Sequence, residues 1–167
     1  MLKRIMTTKG LPYFAVGKVV KGFGRGSKDL GIPTANFPDE VVNNLPEEIS
    51  TGVYYGWAKV DDGLVYKMVM SIGWNPYFKN IKKSMETHII NAYGMDFYGS
   101  QLKVCITGYI RPEMDFKTLD DLISTIKNDI ETAKTRLEEI EMRTFKDHSF
   151  FQNETESDKT MNGECSH

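Results

Sequence analysis

"GVYYGWAKVDDGLVYKMVMSIG", residues 52–73, holds two runs rich in β-branched and aromatic residues, separated by Asp-Asp-Gly. Such runs favour strands, and the step between them is a hairpin signal in which Gly63 can take positive φ. Working outward, the same signature recurs in "YFAVGKVV" (13–20), "METHII" (85–90) and "QLKVCITGYI" (101–110). The strands are short and their links carry Gly, Pro and Asn. That pattern favours an antiparallel sandwich or small barrel over a parallel α/β sheet.

The character changes at Phe116. In "KTLDDLISTIKNDIETAKTRLEEI" (117–140) the apolar positions are Leu119, Leu122, Ile123, Ile126, Ile130, Ala133, Leu137 and Ile140. Their steps of three, four and seven draw one stripe along a helix that packs on the sheet. Thr118 is an N-cap candidate with Asp121 three residues on, and Asp120 and Asp121 suit the positive end of the helix dipole. Lys134 and Arg136 fall near the other end. Beyond this helix, "NETESDKTMNGECSH" has no periodicity and almost no apolar content. Residues 152–167 are therefore expected as a disordered tail, 1–11 as a flexible N-terminal segment, and 12–151 as one folded unit.

The chain has 167 residues, 40% hydrophobic and 26% charged, which suits one globular domain. Its net charge of −2 argues against a nucleic-acid binder that works through a basic face. It leaves room for a local basic pocket that takes a small phosphate ligand. Two cysteines, Cys105 and Cys165, cannot build a disulfide framework, so a reducing, cytosolic compartment is expected. The acid-poor start "MLKRIMTTKG" leaves a mitochondrial pool open. No apolar run approaches the roughly 20 residues that cross a bilayer, so no membrane is implied. No long exposed apolar edge points to more than a monomer.

"GFGRGSKDLGIPTANFPDE" (22–40) raises the question of chemistry. Gly22, Gly24 and Gly26 can adopt backbone angles that aim successive N–H groups at one anion, and Arg25 and Lys28 add charge. Such a loop is commonly only a flexible turn. "KGFG" also occurs in single-strand nucleic-acid barrels, and a kinase lid would need lysine, catalytic-loop and metal-aspartate motifs that are missing. "PTAN" sharpens the reading. In an extended chain Thr34 and Asn36 project on one face, and their neutral oxygens suit Mg²⁺ arriving with a nucleotide. The competing reading is a turn in which Thr and Asn bond their own backbone. Glu86, in "KKSMETHI", alternates with Ser84 and His88. On the inward face of a barrel it could take a proton from an attacking hydroxyl; exposed, it would pair with Lys82 or Lys83. "GWNPY" and "GYIRPEMDF" read as loop-bearing strand ends, where Arg111 and Phe116 could face a flat ligand.

Taken in order, "GKVVKGFGRGSKDLGIPTANF", "STGVYYGWA", "SIGWNPYFKNIKKSMETHI", "DFYGSQL" and "GYIRPEMDF" resemble the riboflavin kinase family in its single-domain animal form. The resemblance covers about residues 13–137, and "GIPTAN" followed some fifty residues later by "ETHI" is its most specific pairing. It implies a mainly β fold, a six-stranded antiparallel Greek-key barrel with the long C-terminal helix packed on it. It implies ATP as co-substrate, Mg²⁺ (in some members Zn²⁺) as cofactor, and riboflavin as acceptor, giving FMN and ADP. By motif, Thr34 and Asn36 hold the metal and Glu86 is the base. Gly22, Gly24, Lys28, Thr34, Ile89, Asn91 and Tyr98 fall at ATP-binding positions. Arg111, Met114 and Phe116 fall in the flap over the flavin. Asn91 stands where the family pattern has histidine, a change expected to tune affinity without abolishing activity. The rivals are a barrel that binds flavin or nucleotide without chemistry, and an OB-like single-strand binder.

Overall fold

The computed structural model describes residues 10–20, 34–74, 82–91 and 98–152. The expectations for the N-terminal segment up to residue 9, for the glycine loop at 22–28 and for the tail from 153 lie outside these residues. The described chain is mainly β. Its strands are β1 (Tyr13–Lys18), β2 (Thr34–Asn36), β3 (Gly52–Val60), β4 (Val65–Trp74), β5 (Lys83–Ile89) and β6 (Gln101–Arg111). They form one antiparallel sheet in the order β1-β6-β3-β4-β5-β2. Three consecutive strands meander through β3, β4 and β5, and β6 returns beside β3, which is a Greek key. Beyond β1 the chain runs on to Val20, whose N–H donates to the Asn36 carbonyl at 3.0 Å. That bridge brings the two edges of the curled sheet together.

Both faces of the sheet are covered, which is why β3 reads as a nearly continuous apolar run. Tyr54 and Ala58 point inward with Met68, Met70, Ile72, Met85, Leu102 and Ile106. Val53, Tyr55 and Trp57 point outward, with Val69 and Cys105, under a helix. A short helix α1 (Asp39–Asn43) follows Pro38 and sends Val42 into the interior cluster. The long helix α2 (Leu119–Arg136) starts where expected: the Thr118 hydroxyl accepts from the Asp121 N–H at 3.1 Å. Its stripe is shorter than the periodicity predicts. Ile126, Ile130, Ala133 and Leu137 pack on the sheet, whereas Ile140 is 81% exposed. The helix ends at Arg136, and α3 (Ile140–Arg143) sets off as a separate element. Two 3-10 turns follow, and Lys59 reaches across to donate to the Phe151 carbonyl. Among the described residues no helix is long and apolar enough to cross a membrane.

The hairpin between β3 and β4 is present, but the left-handed residue is Asp61, at φ 49°, rather than Gly63. Asp61 is held there from outside the hairpin: its carboxylate accepts the Gln101 N–H at 2.8 Å, and its own N–H donates to the Gln101 carbonyl. Aspartate tolerates this conformation better than most side chains.

Gly56 has a different task. A Cβ built there would lie 1.9 Å from the Cys105 carbonyl oxygen on β6, so two central strands approach too closely for any side chain. Gly56→Ala should cost about 1–3 kcal/mol, the range for overpacking a well-filled core. Thermal unfolding followed by circular dichroism checks this, and an unchanged midpoint would show that β3 and β6 are not so tightly apposed.

Candidate active site

The pairing of β2 with β5 places Asn36 opposite Glu86 and Thr34 opposite His88. On the other side of β5, Glu86 lies opposite Ser71 and His88 opposite Val69 of β4. Alternation sends Ala35, Met85 and Ile89 into the barrel, so Thr34, Asn36, Glu86 and His88 share the outer face. The inward placement considered for Glu86 is thus corrected. The interior of so small a barrel is filled by apolar side chains, and a carboxylate there would lack water and partners.

Glu86 is still mostly covered, with 23% of its side chain exposed. Burial raises its pKa above the ordinary glutamate value. Its neighbour is not a lysine, as Lys82 pairs with Asp39 and Lys83 lies over the Trp74 ring. Instead its Oε1 stands 3.6 Å from Nε2 of His88. Burial lowers the His88 pKa to about 4, so this imidazole is neutral near pH 7. Its Nδ1 has no hydrogen-bond partner among the described residues.

A cavity of about 490 Å³ opens over Glu86. Its floor is the outer face of β4 and β5; its roof is segment 111–116 and the N-terminal half of α2. Glu86, Arg111, Met114 and Phe116 all line it, so the structure brings the expected base and the three expected flavin contacts into one space. Thr34 and Asn36 flank it through the β2–β5 pairing. The roof is positioned by irregular pairing at the end of β6. Opposite β3, Gly56 and Tyr55 pair with Ile106 and Gly108, and Tyr54 and Val53 with Tyr109 and Arg111, leaving Thr107 and Ile110 as extra residues. The two bulges cancel in their effect on facing, so Arg111 lies on the outer face with Cys105, but they set it opposite Val53. There it forms a bidentate pair with Asp129 of α2, Nε to Oδ1 at 2.9 Å and Nη2 to Oδ2 at 2.8 Å. Its guanidinium also lies 5.8 Å from the centre of the Phe116 ring.

The remaining expected contacts lie elsewhere. Ile89 is fully buried in the barrel interior, on the other face from Glu86. Tyr98 is exposed near the start of β6. Asn91 sits just past β5 at φ 69°, a left-handed conformation that asparagine tolerates well. It lines a second, larger groove of about 940 Å³ with Tyr66, Lys67, Lys134, Arg143 and Lys146. Three of the cations of that groove already have partners. Lys67 pairs with Glu138, Lys134 with Glu131, and Lys146 covers the Trp57 ring. The smaller cavity, which holds a desolvated acid beside neutral oxygen donors, is therefore the candidate active site. Gly22, Gly24 and Lys28 lie outside the described residues.

Sequence reasoning missed Asp129, Trp74 and Glu113 as lining residues. Asp129 left a signal: it interrupts the packed stripe between Ile126 and Ile130.

A sequence model described as "Flavokinase: Riboflavin kinase" matches residues 9–137. The chain belongs to the riboflavin kinase family. It is 62% identical to the riboflavin kinase of Homo sapiens over 153 residues, covering 92% of this chain and 97% of that protein. The riboflavin kinase of Mus musculus is 60% identical over 155 residues, covering 93% and 99%. The crystal structure of riboflavin kinase from Trypanosoma brucei superposes with a TM-score of 0.70 at 28% identity, covering 89% of this chain and 94% of that one.

Within this riboflavin kinase fold, Glu113 crosses the mouth of the cavity above Gly73, where a Cβ would meet its Oε1 at 2.2 Å. Here the atom in the way is the free end of a side chain, not backbone. Gly73→Ala should therefore move Glu113 and cost no more than about 0.5 kcal/mol, far less than Gly56→Ala. Parallel melts of the two variants check the contrast; equal losses would mean that Glu113 is fixed in place.

Proposed function

We propose that this chain transfers the γ-phosphoryl group of ATP to the ribityl 5′-hydroxyl of riboflavin, giving FMN and ADP. One observation carries the reading: a desolvated Glu86 lies between the oxygens of Thr34 and Asn36 on one side and the cavity of Arg111, Met114 and Phe116 on the other. A cavity of about 490 Å³ whose roof sets Met114, Phe116, Leu122 and Ile126 among the charged Arg111, Glu113, Asp115 and Asp129 suits a flat ring system with a polar edge.

Thr34 and Asn36 fit a divalent cation. They are half-buried, share a face, and make no side-chain hydrogen bond to the described residues. Their neutral oxygens suit Mg²⁺ better than Zn²⁺, which favours nitrogen and sulfur. When bound, the ion supplies positive charge to the phosphate oxygens. Phosphoryl transfer asks little covalent chemistry of the protein, so positioning and charge stabilisation carry the rate. Thr34 and Asn36 hold the nucleotide end in register with β5. Glu86, one strand away, accepts the hydroxyl proton on its carboxylate, and its raised pKa makes it a stronger base than a solvated glutamate. Arg111 and Phe116 wall the acceptor and keep water out. The loop containing Gly22, Gly24 and Lys28 covers the phosphates in this proposal, with Asn91 and Tyr98 toward the rest of the nucleotide and the buried Ile89 side chain supporting that end of β5 from within. In this proposal the enzyme acts as a cytosolic monomer.

Incubation with riboflavin, ATP and Mg²⁺ should yield FMN, with ADP formed only when riboflavin is present. Binding of both ligands without product would identify a non-catalytic barrel instead. Glu86→Gln should keep the fold and both ligand affinities but lose about 10²–10⁴-fold in kcat, the scale of general-base catalysis. A near-normal kcat would remove Glu86 from the mechanism. Asn36→Ala should weaken ATP binding in the presence of Mg²⁺ and leave binding in chelator unchanged, as read by calorimetry. Equal loss in both conditions would refute a metal ligand at this position.

A further inference from the structure

Asp129 is anomalous for its place. It stands among the helix residues that pack on the sheet, and it is 2% exposed. A buried carboxylate is tolerated only when paired and hydrogen-bonded, and its partner is Arg111. Both edges of that fork are filled, with Nε also 3.2 Å from Oδ2. Nη1 donates to the Pro112 carbonyl at 3.1 Å. These contacts fix the guanidinium plane and leave two of the five N–H donors of an arginine for a ligand. Arg111 and Asp129 both line the cavity over Glu86.

A purely structural pair gains little over apolar side chains of similar size. The end of β6 nevertheless departs twice from regular pairing just before Arg111. Without the two bulges Arg111 would still face outward but would stand opposite residue 51, beyond the end of β3. The bulges thus set where along the sheet Arg111 meets Asp129, at the cavity wall.

We propose that Asp129 is a positioning residue for the phosphoryl acceptor. It holds the Arg111 guanidinium as a wall against the planar polar ring of the acceptor and ties segment 111–116 to α2. Acceptor affinity depends on it; nucleotide affinity, set at β2 and β5, does not. This inference rests on the phosphotransfer reading above.

The test is the split between the two substrates in Asp129→Asn. Its KM for riboflavin should rise about tenfold or more, the scale of a hydrogen bond to a charged group, with KM for MgATP within about twofold. Riboflavin titrated without nucleotide, followed by flavin fluorescence, should show the same loss of affinity. In an Arg111→Lys background the substitution should add less than about twofold, because residues acting as a unit are not additive. If both KM values rise together, if riboflavin affinity is unchanged, or if the two substitutions are additive, the inference is overturned. Should Asp129→Asn fail to fold, Asp129→Glu keeps the charge and displaces the guanidinium. A raised riboflavin KM alone supports the proposal there, and unchanged constants overturn it. A wild-type protein that makes no FMN takes down the phosphotransfer reading and this inference together. An active wild type matched by Asp129→Asn takes down this inference only.

Discussion

The register of a three-residue strand governs this molecule. β2 pairs with β5 along only Thr34, Ala35 and Asn36, yet that pairing decides which side chains face the interior. A slip of one residue would turn every side chain of the strand over. Ala35 would leave the core, and the oxygens of Thr34 and Asn36 would be buried among apolar groups. Several contacts hold the register. Ala35 and Phe37 are buried in the interior cluster, and the Phe37 N–H donates to the Met85 carbonyl at 3.2 Å. On the opposite edge the Asn36 carbonyl accepts from Val20. Asn36 thus closes the barrel with its main chain and faces the candidate site with its side chain. Folding and the proposed metal site meet at one residue.

The second constraint is that the sheet is covered on both sides but unevenly on the outside. The C-terminal half of α2 packs closely through Ile130, Ala133 and Leu137, while its N-terminal half stands over the cavity. The space for a ligand is therefore a consequence of where the helix touches down. Its Thr118 cap follows directly on the roof segment, so the same few residues begin the helix and close the cavity.

Much of this was legible in the sequence because it rests on local chemistry. Strand composition gave β1, β3, β4, β5 and β6, and a threonine three residues before an aspartate marked the start of α2. Alternation also put Thr34 with Asn36, and Glu86 with Ser84 and His88, on common faces. Long-range decisions were hidden. Asp61 rather than Gly63 takes the left-handed turn because Gln101, forty residues away, grips it. Which face of β5 is inner depends on the neighbours that close the barrel, so the side of Glu86 could not be read from period two. The bulges at Thr107 and Ile110 are marked only by Gly108 between them, which close packing against the Tyr55 ring explains equally well.

The electrostatics of the site also follow from burial. A cluster of carboxylates would hold a metal more firmly but would repel the triphosphate that accompanies it. In the proposed mechanism Thr34 and Asn36 avoid that repulsion, leaving Glu86 as the acid beside them. A protonated His88 at 3.6 Å would hold Glu86 as a carboxylate and weaken it as a base. Burial prevents this by lowering the His88 pKa to about 4, so the imidazole stays neutral while its neighbour remains free to take a proton. The same desolvation thus acts in opposite senses on the two groups. It raises the acid and silences the base, and in the proposed mechanism that asymmetry leaves Glu86 free to accept the proton.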